Sequence, residues 1–260
     1  MSLWGLLTMG LLASCNKDND SSKEYKRNYT ETELGLNMQM VYVEGGSFEM
    51  GATAEQEEGA RSNEYPVRTV KLDSYYIGKY EVTQAQWETV MGTNPSYFTG
   101  DDKRPVERVS WNEAQEFCRR LSEATGKRYM LPTEAQWEYA ARGGKKSKGY
   151  KYSGSDDIEE VAWYGENSDY QTHRVGTKKA NELGIYDMSG NIFEWCSDWY
   201  GTYDESDTDN PQGPVNGSNR VYRGGSWYHR YAFPCRVAFR ISDSPDFSYY
   251  FLGFRVVCLP

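Results

Sequence analysis

The chain is poor in the residues on which many enzymes and nucleic-acid binders rely. Its 260 residues include two histidines, His173 and His229, and no C-x-x-C pair. That argues against a zinc or histidine-bound iron centre, which needs several such ligands. The formal net charge is −9, with 29 Lys and Arg against 38 Asp and Glu. Phosphate binding needs clustered cations. The nearest thing to a cluster, "GGKKSKGYK" (143–151), reads as a solvated loop, so no nucleic-acid partner is expected. A P-loop, a dinucleotide fingerprint and a Ser-His-Asp set are all missing. Only 38% of the chain is hydrophobic, yet 15% is aromatic, with 22 Tyr and 8 Trp beside 25 Gly. A core of that composition suits a compact, loop-rich fold better than a helical bundle. There is no fixed period of the kind a repeat array shows.

The one long apolar run is N-terminal. "MSLWGLLTMGLLASC" is apolar through Ala13 and ends in Leu12-Ala13-Ser14-Cys15. It is too short to span a bilayer and reads as a secretory signal. The L-A-S-C box resembles the bacterial lipobox, which makes Cys15 the expected lipidation site and residues 1–14 a signal peptide. "NKDNDSSKEYKRNYTETE" follows, polar and charged, so residues 15–37 are expected to form a disordered tether. Its early acidic patch resembles the export signals of Bacteroidota surface lipoproteins. The expected location is therefore the cell envelope, as an outer-membrane lipoprotein. From residue 38 to 260 the chain reads as one domain, with no further linker.

Within that domain three helix starts are marked. Thr83-Gln84-Ala85-Gln86, Ser110-Trp111-Asn112-Glu113 and Thr133-Glu134-Ala135-Gln136 each match a capping box. The second helix is predicted to run to about Thr125 and to bury Trp111, Ala114, Phe117, Cys118, Leu121 and Ala124. Gly126 stops it, and Gly143-Gly144 stops the third. "MVYVEGGSFEMG" (40–51) alternates around Gly45-Gly46 and predicts a hairpin. Short strands are expected across 67–83. After Gly144 regular signals fade.

Several blocks resemble the formylglycine-generating enzyme family, also called the sulfatase-modifying-factor domain. They are "LPTEAQWEYAARGG" (131–144), "NELGIYDMSGNIFEWCSDWY" (181–200), "RVYRGGSW" (220–227) and "RVAFR" to "LGFRVV" (236–257), in the family's order. The resemblance covers roughly 38–260. It implies an α+β fold that resembles the C-type lectin fold, with few helices, short strands and much irregular structure. It also implies a test of function. The family's oxidases convert a sulfatase cysteine to formylglycine with two cysteines, five apart, that follow G-G-S and bind Cu(I). Counted forward from Gly224-Gly225-Ser226, that pair falls on His229 and Pro234. Counted back from Arg236-Val237-Ala238, it falls on Trp227 and Ala232. Neither register holds a cysteine. The expectation is a domain without oxidase activity that binds or scaffolds an envelope protein, a peptide or a glycan. The alternative is a copper-dependent sulfatase-maturing enzyme, for which Cys235 and His229 are the weak catalytic candidates; Cu(I) enters only with that alternative.

The same resemblance implies a structural Ca2+ held by the Asp187 and Glu194 side chains with the Gly190 and Ile192 carbonyls. The bland alternative is a turn held by Asx hydrogen bonds. With Cys15 lipidated, Cys118, Cys196, Cys235 and Cys258 remain, an even number that suggests two disulfides. The candidate pairs are Cys196 with Cys235 and Cys118 with Cys258, and four cysteines allow three pairings. Arg236 and Arg240 are expected to bind carbonyls and acids in the core. Trp87, Trp111, Trp137, Trp195, Trp199 and Trp227 are expected mostly as core residues. A ligand cleft is expected where "WYHRYAF" and "DFSYYFLGF" meet, with Trp227, His229, Arg230, Tyr231, Tyr249 and Tyr250 as its candidates.

Overall fold

The computed structural model describes Met1 and residues 27–260. Cys15 and the signal segment lie outside the described residues. Part of the expected tether does not. Tyr29–Glu31 forms strand β1, antiparallel to β2 (Met38–Val43). The Glu31 carboxylate, 2% exposed, accepts from Tyr129 and pairs with Lys127 at 2.6 Å. The domain therefore starts about ten residues before the polar composition suggested, because alternating residues of this short segment bury against β2.

β2 is followed by β3 (Gly46–Met50), β4 (Arg68–Leu72) and β5 (Tyr75–Gly78). The expected hairpin across Gly45-Gly46 does not form. β2 pairs with β1 and β5, whereas β3 pairs with β4 in a separate two-stranded sheet. Glycine is needed here for close approach instead. A Cβ on Gly45 would stand 2.5 Å from the Leu72 carbonyl.

The three capping boxes are present as written. α1 (Gln84–Met91), α2 (Trp111–Thr125) and α3 (Glu134–Ala141) start at Thr83, Ser110 and Thr133, whose hydroxyls accept the third helical N–H. Gly126 closes α2 in the left-handed region. Ala114, Phe117, Cys118 and Leu121 are buried as predicted, while Ala124 is exposed and Trp111 half-buried. α1 and α2 meet where Trp87 stacks on Phe117, rings 5.6 Å apart. α3 is buried almost all round, including Glu134 and Glu138, as a helix running through a core must be.

The rest is short strands and loops: β6 (Tyr129–Met130), α4 (Ile158–Val161), β7 (Phe193–Trp199), β8 (Arg220–Arg223), β9 (Arg240–Asp243), β10 (Leu252–Gly253) and β11 (Val257–Cys258). They complete a five-stranded sheet, β1-β2-β5-β11-β6, and a four-stranded one, β10-β7-β8-β9. The architecture is α+β, as expected.

Four buried arginine–glutamate pairs tie these layers together. Arg236 holds Glu64, Arg240 holds Glu134, Arg223 holds Glu138, and Arg255 holds Glu194. Arg236 also donates to the carbonyls of Gln56 and Gly59, and Arg240 to those of Asn63 and Gly201. Arg220 lies between Trp111 and Trp199, 3.8 and 3.4 Å from their ring centres. Those two tryptophans are half-buried, whereas Trp87, Trp137, Trp195 and Trp227 are core.

Candidate functional site

The four-stranded sheet and two loops build one aromatic surface. Trp227, 4% exposed, follows β8 and donates its indole N–H to the Tyr250 carbonyl. Tyr250 packs on Trp227 at 5.5 Å and on Tyr249 at 4.1 Å. Tyr228 stacks on Phe251 at 5.4 Å and meets Tyr250 at 5.7 Å. From the loop after α1, Phe98 sets its edge on Trp227 at 5.0 Å, and Tyr97 reaches Tyr250 at 6.0 Å. Tyr97 is 64% exposed, Tyr228 45% and Tyr249 37%. Rigid rings held edge to face keep such a surface open to solvent without collapse.

Of the six cleft residues expected from sequence, the structure joins Trp227, His229, Tyr249 and Tyr250. The half-buried His229 ring sits beneath this surface, 5.7 Å from Phe251 and 5.2 Å from Phe193. Its Nδ1 is 3.0 Å from Ser226 Oγ. Burial, with Arg61 nearby, lowers its pKa, so it is neutral at pH 7. Arg230 points into solvent, 3.9 Å from Glu166, and Tyr231 contacts Phe233; both lie apart from the stacked rings. Sequence reasoning missed Tyr97 and Phe98, more than a hundred residues away, and did not single out Tyr228 and Phe251 inside the stretches it quoted. The adjacent pair Tyr97-Phe98 in "NPSYFTG" was the available signal, an aromatic pair in a loop with no periodic pattern to bury it.

The loop before β7 carries the residues expected to hold calcium. Asp187 sits in the left-handed region and accepts from the Gly176 N–H at 2.7 Å. Glu194 takes Arg255 through two bonds of 2.6 Å and the Trp137 indole at 2.7 Å. Glu81 joins them, accepting from Ile192 N–H and Asn191. Three buried carboxylates thus share one guanidinium. Burial pushes Asp187 up to about 6. It pushes Glu81 well above its usual range, with Asp187 and Glu194 adding repulsion. No three His, Cys, Asp or Glu side chains among the described residues are arranged to hold a metal by themselves, so a cation here would depend on the Gly190 and Ile192 carbonyls. Both Glu194 oxygens already accept from Arg255, one of them also from Trp137, and one Asp187 oxygen accepts from Gly176, so a cation would have to compete with these partners.

Residues 25–259 match the family described as sulfatase-modifying factor enzyme 1-like domain. The chain belongs to that family. It is 40% identical over 238 residues to chaperone protein LppX of Paenibacillus barcinonensis, covering 72% of this chain and 78% of that protein. It is also 40% identical over 192 residues to the formylglycine-generating enzyme of Streptomyces coelicolor, 67% of this chain and 58% of that protein. Treponema denticola variable protein 1 shares the fold, with a TM-score of 0.81, 34% identity, and 90% and 99% of the two chains covered.

In a sulfatase-modifying-factor domain the segment after G-G-S is where the oxidase cysteines would stand. Here Cys235 packs beneath Gly225, where a Cβ would lie 2.6 Å from its Sγ. It is fully buried with Tyr152, Val161 and Tyr164. Desolvation pushes the thiol up to about 12, which disfavours the thiolate that binds copper. The expected disulfides are not formed: Cys118, Cys196, Cys235 and Cys258 are all free and buried. Cys196 and Cys235 lie in separate hydrophobic clusters. Cys118 and Cys258 share one cluster but pack there as small apolar residues.

Proposed function

We propose that this chain is a lipid-anchored envelope protein whose sulfatase-modifying-factor domain binds a partner and does no oxidase chemistry. The observation that carries this is the exposed tyrosine surface around Trp227, in a domain whose thiols are buried. The relative called chaperone protein LppX supports a binding role, and Leu12-Ala13-Ser14-Cys15 supports an envelope location with an outer-membrane anchor through Cys15. Arrays of rigid tyrosines offer large contact area at little entropic cost, which suits an envelope protein, a peptide or a glycan.

Tyr97→Ala with Tyr249→Ala removes the two ends of the surface. Hot-spot tyrosines contribute about 2 kcal/mol each, so partner binding should weaken by roughly a thousandfold with the melting temperature little changed. Cross-linking on cells followed by mass spectrometry, beside a glycan array, identifies the partner on which this is measured. Binding that ignores the double variant would sink the proposal. Formylglycine made from a sulfatase-type cysteine peptide with Cu(I) and reductant would restore the oxidase alternative.

Ca2+ is proposed at Asp187, Glu194, Gly190 and Ile192, where it would supply positive charge and fix the loop before β7. Calcium at about a hundred times its Kd adds ~2.7 kcal/mol, which raises Tm by about 5–10 °C in a domain of this size. Superimposable melting curves in calcium and in chelator would count against the ion.

A further inference from the structure

Glu107 is a buried carboxyl between the two halves of the aromatic surface. It is 0% exposed. One oxygen accepts the Phe98 N–H at 2.9 Å. Its own N–H donates to Ser96 Oγ. The other oxygen, Oε2, is buried with no partner. The next residue, Arg108, is exposed and held in the left-handed region at φ 61°, where its N–H donates to the Tyr249 carbonyl at 3.0 Å. Residues 107 and 108 thus bind the Tyr97-Phe98 loop on one side and the Tyr249–Phe251 segment on the other. A non-glycine residue at positive φ and an orphaned buried oxygen both cost free energy, and here they meet at the seam of one surface.

We propose that Glu107 is the positioning residue of the aromatic surface: its buried carboxyl clips the Tyr97-Phe98 loop against Trp227 and Tyr250, and its ionisation loosens that clip. The inference rests on the aromatic surface being the binding site. The charged groups acting on Glu107 are Arg104 and Arg108 of its own segment, and both favour its ionised form. Arg104 is itself tied to Thr172 and Gln171. α1 presents the neutral Gln84 amide, which donates to the Phe98 and Pro105 carbonyls. The loop presents the Ser96 hydroxyl, and the far segment presents the Tyr249 carbonyl to Arg108.

Burial outweighs the backbone N–H groups of Phe98 and Tyr97 and the two arginines, all of which favour the ionised form, and raises Glu107 to about 7. When the loop opens, water reaches the carboxyl and it ionises in the ordinary carboxylate range. Closure is therefore fully supported below that range, and the support is lost as pH rises through about 7. Through Glu107 the surface is held firm below neutrality and freed above it.

Hydrogen-exchange mass spectrometry on the full-length chain tests this, with rates corrected for intrinsic exchange at each pH. Protection in peptides covering 92–103 should fall about tenfold or more between pH 5 and pH 8. Glu107→Gln keeps an acceptor for Phe98 and cannot ionise, so its protection should be level across that range. Equal pH profiles in the two proteins, or protection that rises with pH, overturn the clip. A level loop profile together with partner binding that Tyr97→Ala abolishes overturns the clip alone. A pH-responsive loop with binding indifferent to Tyr97→Ala keeps the clip and overturns the binding site.

Discussion

Replacing Arg236 by methionine is expected to cost the domain about 3–5 kcal/mol, the range for removing one partner of a buried ion pair. Arg236 and Glu64 are both 0% exposed, and their two hydrogen bonds measure 2.6 and 2.8 Å. Without the guanidinium, Glu64 keeps only the Arg61 N–H as a partner, and its charge is stranded. The carbonyls of Gln56 and Gly59 lose their donor in the same step. A domain stable by roughly 5–15 kcal/mol would give up a fifth or more of its stability. Adding Glu64→Met removes the stranded charge, so the double variant should recover part of the loss. It should not recover all of it, because the two carbonyls remain unpaired. Urea denaturation of the wild type, both single variants and the double variant reads the coupling directly. An Arg236→Met cost below about 1 kcal/mol would show that the pair is dispensable.

The family blocks recognisable in sequence are largely the two halves of these pairs. Glu134 and Glu138 come from "LPTEAQWEYA", Glu194 from "FEW", and their arginines from "RVYRGG", "RVAFR" and "LGFR". The fold was legible for that reason, and the helices because capping boxes are local. Pairing partners were not local. Gly45-Gly46 read as a turn, although its role is set by Leu72 and Asp73, which the chain brings in from β4. β1 was hidden by polar composition, since its one buried acid, Glu31, is satisfied by Tyr129 and Lys127 nearly a hundred residues on. Half of the aromatic surface was visible as "WYHRYAF" and "DFSYYFLGF". The other half, Tyr97 and Phe98, is placed by Glu107, a contact that no spacing rule encodes. The cysteines were read by compartment and number, but the fold treats them as packing units.

That difference gives the second large effect. In the native protein Cys118, Cys196, Cys235 and Cys258 should resist alkylation, and in denaturant without reductant all four should label. Two terms combine. Cys235 titrates near 12 because burial disfavours its charge, so at pH 7 its thiolate fraction is about 10⁻⁵, against a few per cent for a free thiol. Access multiplies that, since Cys118, Cys196 and Cys258 are also buried and their thiols are likewise pushed upward. The combined protection should exceed a thousandfold by rough estimate. Iodoacetamide labelling followed by peptide mass spectrometry separates three states. Labelling only after unfolding fits four packed thiols and leaves no reachable thiolate for Cu(I). Two or four cysteines that label only after reduction would bring back the bridges. Rapid native labelling confined to Cys235 would mean that the segment after Gly225 opens in solution. That would place a reactive thiolate beside Ser226 and His229, where copper chemistry needs one.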